Sequence, residues 1–323
     1  MLQLAVPLTV GVSVVLVVGL SGPGRTASGH AAPAAGQYVD IASVPRAVVP
    51  ADGPDASTGS FTVDCGRNEN GHRNADNVVV SPGVTGESHH THDYVGNVST
   101  NADSTNQSLA AAGTTCVNGD RSTYYWPVLR RLDRQGSDVH ATGGGMDGNF
   151  GQILTPSSVL VQFRGNPLSE VVAMPRFLRL VTGDPVATSV NDPSRVHAQW
   201  GCSGYPDRFS VKYALCPEGS GPTRTLDFPS CWDGLSTDSP DHRSHVVFPG
   251  AGGLCPHATF PVPQLRITLT YALPHGTPYA VDSFPEQKRD PRTEHGMFID
   301  VMTDSQMQRV VSCVNDGRQC RET

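Results

Sequence analysis

Eight cysteines constrain this 323-residue chain more than any other feature of its sequence. Their number is even and no two of them form a C-x-x-C pair, which argues against a zinc ribbon or a thioredoxin-type redox centre. Cysteines in this pattern favour an exported protein held by four disulfides. Pairing each cysteine with its neighbour in sequence is one of many possible connectivities, and it would give Cys65–Cys116, Cys202–Cys216, Cys231–Cys255 and Cys313–Cys320.

The composition favours an all-β, loop-rich fold, because the chain has 34 glycines and 26 prolines while only 16% of its residues are charged. Helices are predicted only over 104–112 and 303–313. Short apolar or alternating segments between Gly and Pro predict strands over 77–81, 158–163, 176–181, 208–213, 245–248, 264–273 and 296–301. We expect a single disulfide-stabilised β-sandwich or jelly-roll domain with long loops and a short C-terminal helix.

The N-terminal segment predicts export. Residues 1–20 carry no charged side chain and are rich in Leu and Val, and the small residues around Ala32-Pro-Ala34 suit signal-peptide cleavage. We predict a signal peptide over 1–34, with an uncleaved N-terminal membrane anchor as the alternative. A flexible lead-in over 35–58 and one domain over 59–323 would follow. The protein would then be secreted, either free outside the cell or associated with the cell wall.

Charge and motifs exclude two classes of partner. The formal net charge of -7 argues against nucleic acid, because phosphate binding needs a basic surface. The glycines Gly143-Gly-Gly145 lack the preceding strand and following helix of a phosphate-binding loop, so a nucleotide is not expected either. A membrane would be a partner only through an uncleaved N-terminus.

Two histidine-containing segments are candidates for a polar site. In His90-Thr-His92 a strand would place both imidazoles on one face, a spacing suited to a metal site. Further along, Asp241 could orient the imidazole of His242 for proton transfer, and His245 could join His90 and His92 around a metal ion. The alternative for both segments is a polar loop whose histidines lie at the surface and whose aspartate binds backbone amides.

A third candidate segment lies near the C-terminus. His295 precedes a glycine that would let another group approach closely, and Glu294 and Asp300 are candidate acids or bases. A strand with exposed ends is the competing interpretation.

Three aromatic residues are candidates for sugar contacts. Tyr125 and Trp126 lie in an aromatic triplet that could stack on sugar rings, and Trp232 follows a cysteine in a segment rich in polar residues. Packing in the core, or on a disulfide in the case of Trp232, is the competing interpretation.

Several motifs occur in a characteristic order, namely Cys65-Gly-Arg67, His90-Thr-His92, Tyr125-Trp-Pro-Val-Leu129, Phe228-Pro-Ser-Cys-Trp-Asp-Gly234 and Asp238-Ser-Pro-Asp-His-Arg-Ser-His-Val246. Together they resemble DUF1996, a secreted family of fungi and actinobacteria that is catalogued as a domain of unknown function. The resemblance implies secretion and an association with cell walls or polysaccharides. His295 also matches the family pattern, whereas Met297 stands where the family carries an aspartate, so any role of that aspartate is in doubt here.

These features predict a secreted protein that acts on extracellular or cell-wall glycan through a histidine-rich cleft, as a lyase or a hydrolase. His92 or His242 would move a proton, Asp241 would orient the imidazole, and Arg179 would neutralise an acidic sugar.

Three alternatives stay open. The first is a secreted protein that binds a divalent metal ion, copper or calcium, through His90, His92 and either His242 or His245. The second is a non-catalytic protein that binds carbohydrate or the cell wall. The third is a structural protein whose histidines are only polar lining.

Overall fold

The computed structural model describes residues 33–190 and 192–322. Two α-helices occur in them, α1 over Asn106–Ala111 and α2 over Asp304–Asn315. The strands of these residues, numbered β1 to β19 in chain order, are Tyr38–Asp40, Ser60–Val63, Arg73–Asn74, His92–Gly96, Thr123–Pro127, Leu129–Arg131, Gln152–Leu154, Ser158–Arg164, Arg179–Gly183, Trp200–Cys202, Tyr213–Leu215, Pro222–Asp227, Cys231–Trp232, Val246–Val247, Phe260–Pro261, Gln264–Thr270, Tyr279–Val281, His295–Ile299 and Gln319–Glu322. The predicted all-β class with a short C-terminal helix is therefore confirmed.

Two large sheets position the candidate site. One has six strands in the order β10-β12-β16-β8-β2-β19, and the other has five in the order β3-β4-β5-β18-β9. Neighbouring strands in both are antiparallel, except that β19 and β2 run parallel. Three smaller sheets complete the strand pairing, and they are β1-β11, β14-β13-β15 and β17-β6-β7.

The five-stranded sheet is buried on both faces, because its side chains alternate between two layers of packing. One face shares a core with the six-stranded sheet, and its apolar side chains are those of Val95, Tyr124, Trp126, Leu180 and Phe298. The opposite face, which we call the site face, carries Tyr94, Tyr125, Val181, Met297 and Ile299. Val78, Val79 and Leu109 of α1 pack with the site face. Polar side chains at the ends of its strands are consequently buried as well.

The pairing of neighbouring cysteines, one of the connectivities that the sequence left open, is the one observed. The four disulfides join each cysteine to its neighbour in sequence, as Cys65–Cys116, Cys202–Cys216, Cys231–Cys255 and Cys313–Cys320. The described residues hold no free cysteine.

The start of the predicted flexible lead-in is ordered. Strand β1, Tyr38–Asp40, pairs in parallel with β11, and Ile41 is fully buried in the core. The hydroxyl of Tyr38 also donates to the carbonyl of Tyr279. The prediction of flexibility is therefore wrong for this part of 35–58. The signal peptide predicted over 1–34 lies outside the described residues, apart from its last two. Among the described residues no helix has the length and apolarity that a membrane crossing requires.

One predicted strand is wrong, and another is met only at its last residue. Residues 77–81 form turns, because the side chain and carbonyl of Asn77 accept the backbone amides of Val80 and Ser81. Over 208–213 only Ser210 forms an isolated bridge, with Trp200, before β11 begins. Each of the other predicted strands overlaps an observed one, and both predicted helices occur with bounds shifted by one to two residues.

Candidate metal centre

Three histidine side chains meet at one end of the site face. The Nε2 atom of His90 lies 3.1 Å from that of His92 and 3.1 Å from that of His295. None of the three residues is more than 1% exposed. One donor atom from each lies within 4.8 Å of the others, a spacing that a single metal ion could bridge. We refer to these three residues as the histidine cluster.

The register of the sheet brings two members of the cluster together. His92 begins β4 and is paired with Pro127 of β5. His295 begins β18 two residues before Met297, which is paired with Tyr125, so His295 also lies level with Pro127. Alternate strands of a sheet are about 9–10 Å apart, a distance that two imidazole side chains leaning toward each other can span.

Gly183 lets β9 approach β18 beside the cluster. It has a φ of 72°, and a side chain there would collide with the carbonyl of Glu294.

Backbone carbonyls fix the tautomers of two cluster histidines. The Nδ1 atom of His92 lies 2.9 Å from the carbonyl oxygen of Asp76, and that of His295 lies 2.7 Å from the carbonyl oxygen of Thr293. Because a carbonyl only accepts, each Nδ1 carries the proton and each Nε2 directs its lone pair into the cluster. Ligating histidines commonly have this outer hydrogen bond.

Three neutral imidazoles cannot satisfy one another in this arrangement. His90 could donate from Nε2 to one neighbour, but its buried Nδ1 would then be an acceptor, and it has no hydrogen bond of regular geometry. If His90 instead carries its proton on Nδ1, where the nearby backbone of Ser88 favours a proton, three lone pairs face each other. A metal ion would accept all three lone pairs at once.

Burial holds the cluster in the neutral form that ligation requires. Desolvation lowers the pKa of His90 and of His92 well below the ordinary value. Repulsion from His92 and His295 lowers the pKa of His90 further, and repulsion from His295 lowers that of His92 further. Desolvation also lowers the pKa of His295 to about 4, although its contact with Thr293 opposes the shift. At neutral pH no proton has to leave before a metal ion can bind.

Without metal, the protein should lose stability as the pH falls below about 6.5, the ordinary pKa of histidine. The unfolded chain binds protons at the cluster positions while the folded protein does not, so the free energy of unfolding falls by about 1.4 kcal/mol per pH unit for each histidine. For His295 the loss should continue until the pH reaches about 4. Urea unfolding in EDTA at several pH values measures this dependence. His295→Gln removes one titrating group and should flatten it, and equal slopes in both proteins would contradict a neutral, buried His295.

A buried ion pair fixes the residue before His295, a member of the cluster. Arg224 is fully buried and forms two hydrogen bonds to the carboxylate of Glu294, of 2.6 and 2.7 Å, and a third to the hydroxyl of Tyr271, of 3.0 Å. Burial alone would lower the pKa of Arg224, but Glu294 and Tyr271 together raise it, so the guanidinium is charged. Burial raises the pKa of Glu294, and the charge and hydrogen bonds of Arg224 oppose that shift. Glu294 thereby anchors the residue before His295, and its pairing leaves it unsuited to the acid or base role considered above.

The segment before β4 is held by two aspartates. Asp76 accepts the ring N–H of His92 through its carbonyl and the backbone amides of Gly86 and Ala102 through its carboxylate. Asp282 pairs with Arg130 at 2.6 Å and accepts the amide of Thr91, between the two histidines. The loop that carries His90 is therefore fixed by hydrogen bonds at both ends.

The cluster lies against a cavity of about 290 Å³. His90 and His295 line it, as do His242, Arg195, Arg243 and Phe284. Two of the three histidine segments singled out in the sequence thus contribute a ring to the cluster, and the third contributes His242 to the same cavity. A ligand in the cavity would contact both the cluster and His242.

Asp238, rather than Asp241, is the partner of His242. The Nδ1 atom of His242 lies 2.9 Å from Oδ1 of Asp238, and its Nε2 makes no hydrogen bond to the described residues. Asp241 accepts from Ser239, Ser244 and two backbone amides, and these hydrogen bonds hold its pKa well below the ordinary value. His242 has a φ of 56°, a left-handed conformation that is costly for a non-glycine residue and clusters at functional sites.

Two predicted site residues lie outside the cluster and are not among those that line the cavity. His245 contacts the hydroxyl of Ser239 through Nδ1 and the carbonyl of Arg179 through Nε2, so both ring nitrogens are occupied and it cannot replace His295 as the third member. Arg179 lies 3.9 Å from the carboxylate of Asp238 and donates to Asn106.

The aromatic residues do not form an exposed sugar platform. Tyr125 and Trp126 are fully buried on opposite faces of the sheet. The hydroxyl of Tyr125 donates to Asn77, and its ring packs edge-on to His92 with centroids 5.3 Å apart. Trp232 is half-buried, and its indole N–H donates to the carbonyl of Ser236. Tyr125 and Trp126 therefore pack in the core.

The sequence left three residues unassigned, namely Asp238, which is the partner of His242, and two arginines that line the cavity. Asp238 stands four residues before His242, a spacing that places an acceptor beside the ring within a turn. Arg195 and Arg243 line the cavity from segments without regular strand pattern. Asp238 and Arg243 lie inside the family-like motif over 238–246, and membership of that motif was the one sequence feature that could have identified them as site residues.

Comparison with known proteins gives one match. A family model described as a domain of unknown function, DUF1996, matches residues 77–299. The match includes every member of the histidine cluster and the cavity residues named above. No curated protein and no solved structure matches.

Proposed function

The chain belongs to the DUF1996 family, and we propose that it is a secreted metalloprotein in which His90, His92 and His295 bind one divalent transition-metal ion. The observation that carries the proposal is the convergence of three buried Nε2 atoms, two of which must present lone pairs because their Nδ1 atoms face carbonyls. Without a cation this arrangement leaves buried polar atoms unsatisfied, which costs about 1–3 kcal/mol for each.

The donor set favours zinc. Three imidazole ligands with one open position are typical of catalytic zinc sites, and copper also accepts imidazole. Calcium requires six to eight oxygen ligands, and the cluster offers only nitrogen. Zinc or copper is thus compatible with the residues present, whereas calcium is not.

The cavity supports a catalytic rather than a purely structural metal. The open position would face the cavity that His90 and His295 line, so a bound water or a substrate oxygen could reach the ion. His242 lines the same cavity with its Nε2 free and its Nδ1 held by Asp238, the arrangement expected of a general base. We propose that a metal ion held by His90, His92 and His295 would supply Lewis-acid chemistry toward the scissile group of an extracellular glycan, while His242 transfers a proton.

The proposals of secretion and of a glycan substrate are supported by general features of the chain rather than by the geometry of the site. Four disulfides are typical of exported proteins, and the family resemblance points to cell-wall polysaccharide. The buried Tyr125 and Trp126 add nothing to a glycan assignment, so the substrate must be recognised by the polar lining of the cavity.

Loss of His242 should abolish turnover without loss of metal. We expect His242→Gln to lower the rate of zinc-loaded protein by about 10²–10⁴-fold, because general base catalysis contributes that much. The measurement is release of chain ends from polygalacturonate, xylan and soluble glucan, with zinc content determined on the same samples. His257→Gln, at an exposed histidine, is the matched control and should be unchanged. Zinc-loaded protein that cleaves none of these polymers, or a His242→Gln variant as active as the parent, would contradict a catalytic role.

A further inference from the structure

One arginine in the cavity has no anionic partner. Arg243 donates from Nη2 to the carbonyl of Gly183 at 2.8 Å, and no carboxylate of the described residues lies within ion-pair distance of it. The other arginine that lines the cavity, Arg195, is paired with Asp184 at 2.9 Å. A guanidinium has five N–H donors, so most of those on Arg243 remain available.

The surroundings of Arg243 favour an anion from outside the protein. Desolvation and the nearby charge of Arg195 both lower the pKa of Arg243, and the charges of Asp184 and Asp241 oppose that shift only in part, so the positive charge is incompletely compensated. Asp241 makes no ion pair with it, because the carboxylate oxygen Oδ1 of Asp241 accepts from Ser239, Ser244 and two backbone amides. A carboxylate bound to the guanidinium would offset this cost through two parallel, charge-assisted hydrogen bonds.

A second unpartnered group lines the same cavity. Ser88 is only 3% exposed, and its buried hydroxyl has no hydrogen-bond partner in the part of the chain that the structure describes. Buried hydroxyls are normally paired, so this one is suited to a ligand that brings its own hydroxyl. The cavity of about 290 Å³ is near the lower end of the range for small-molecule sites, which suits one sugar ring rather than an extended chain.

We propose that the cavity binds an acidic sugar unit, with its carboxylate on Arg243 and a ring hydroxyl on Ser88. This assignment rests on the proposed function and names its substrate class, a uronate-containing glycan. A carboxylate that also carries hydroxyls fits both unpartnered groups, whereas the side chain of an acidic peptide would leave Ser88 unsatisfied. Under this proposal Arg243 takes the role that the sequence suggested for Arg179.

The test is calorimetric titration of zinc-loaded protein with three probes: a galacturonate tetramer, the neutral galactose tetramer and tetraglutamate. The parent should bind the galacturonate tetramer at least about tenfold more tightly than the other two. Arg243→Gln should weaken that binding by about tenfold or more and leave the neutral tetramer unaffected. Arg134→Gln makes the same charge change at an exposed position outside the cavity and should have no effect.

Each other outcome overturns the assignment. Equal binding of acidic and neutral tetramers, no binding of any probe, or an Arg243→Gln variant that still discriminates would remove the uronate proposal. Tighter binding of tetraglutamate would assign the site to acidic peptides instead. The metal content of the same samples separates the two proposals. If the protein takes up no zinc but still binds the acidic tetramer more tightly than the neutral one through Arg243, only the metal centre is refuted. If the protein binds zinc but does not distinguish the two tetramers, only the uronate proposal is refuted.

Discussion

Replacement of Arg224 by alanine should lower the free energy of unfolding by about 3–5 kcal/mol, the cost of breaking a buried ion pair by removing one partner. The Glu294 carboxylate would remain fully buried with its two strongest hydrogen bonds gone, and the hydroxyl of Tyr271 would lose its donor. Urea unfolding of the metal-free protein and of the variant at neutral pH measures the change. Zinc affinity should fall as well, because Glu294 fixes the strand end that carries His295.

A double variant tests whether the unpaired charge is the cause. Arg224→Met combined with Glu294→Gln removes both charges and keeps the side-chain volumes similar, so it should recover most of the lost stability. Arg266→Ala breaks a partly exposed pair with Asp227 and should cost less. If Arg224→Ala is no more destabilising than Arg266→Ala, the buried pair does not hold this end of the sheet.

Replacement of His295 by alanine should weaken zinc binding by about a hundredfold or more. Loss of a residue that only supports a ligand costs about 10–100-fold in metal affinity, and His295 is proposed as a ligand itself. The affinity is measured by competition with a chromophoric chelator at neutral pH. In the absence of metal the variant should unfold at about the same temperature as the parent, because removing one of three facing lone pairs relieves a strain.

The control is an equivalent change at a histidine outside the cluster. His257→Ala removes an exposed imidazole and should leave zinc affinity within about twofold of the parent, since nothing in the cluster contacts it. A His295→Ala variant that binds zinc as tightly as the parent would exclude His295 as a ligand. A large loss of stability in the metal-free variant would instead favour a structural role.

The fold class could be predicted from the sequence because it depends on the cysteines and on the alternation of apolar and polar residues within single segments. Each cysteine pairs with its neighbour in sequence, at separations from 7 to 51 residues, and the alternation over 264–270 forms β16 with the expected inward side chains. Prediction failed where side chains compete with the backbone. Asn77 satisfies amides that a strand over 77–81 would have paired, and the resulting turns pack with the site face.

Half of the candidate site was also predictable. The spacing of His90 and His92 predicted that their rings lie close together, as they do, and His295 was named separately as a candidate site residue. Its meeting with His92 depends on the order β4-β5-β18, which pairs strands that are far apart in the chain. No periodicity within a segment encodes that order, so the sequence suggested His242 or His245, and not His295, as the third metal ligand.

Hydrogen-bond partners within a turn were the least predictable feature. Asp238 and Asp241 both lie close to His242 in sequence, and only the left-handed backbone at His242 directs the ring to Asp238. Tyr125 and Trp126 illustrate the same limit for burial. Their segment reads as polar and aromatic, yet β5 is the central strand of a sheet covered on both faces.

The central claim is that the histidine cluster binds one metal ion, and equilibrium dialysis of EDTA-treated protein against zinc tests it most directly. We predict one tightly bound zinc per chain for the parent. A variant with His90, His92 and His295 all changed to glutamine should bind none at that affinity, while remaining folded by circular dichroism. No bound zinc or copper in the parent, or the same stoichiometry in the triple variant, would contradict the account.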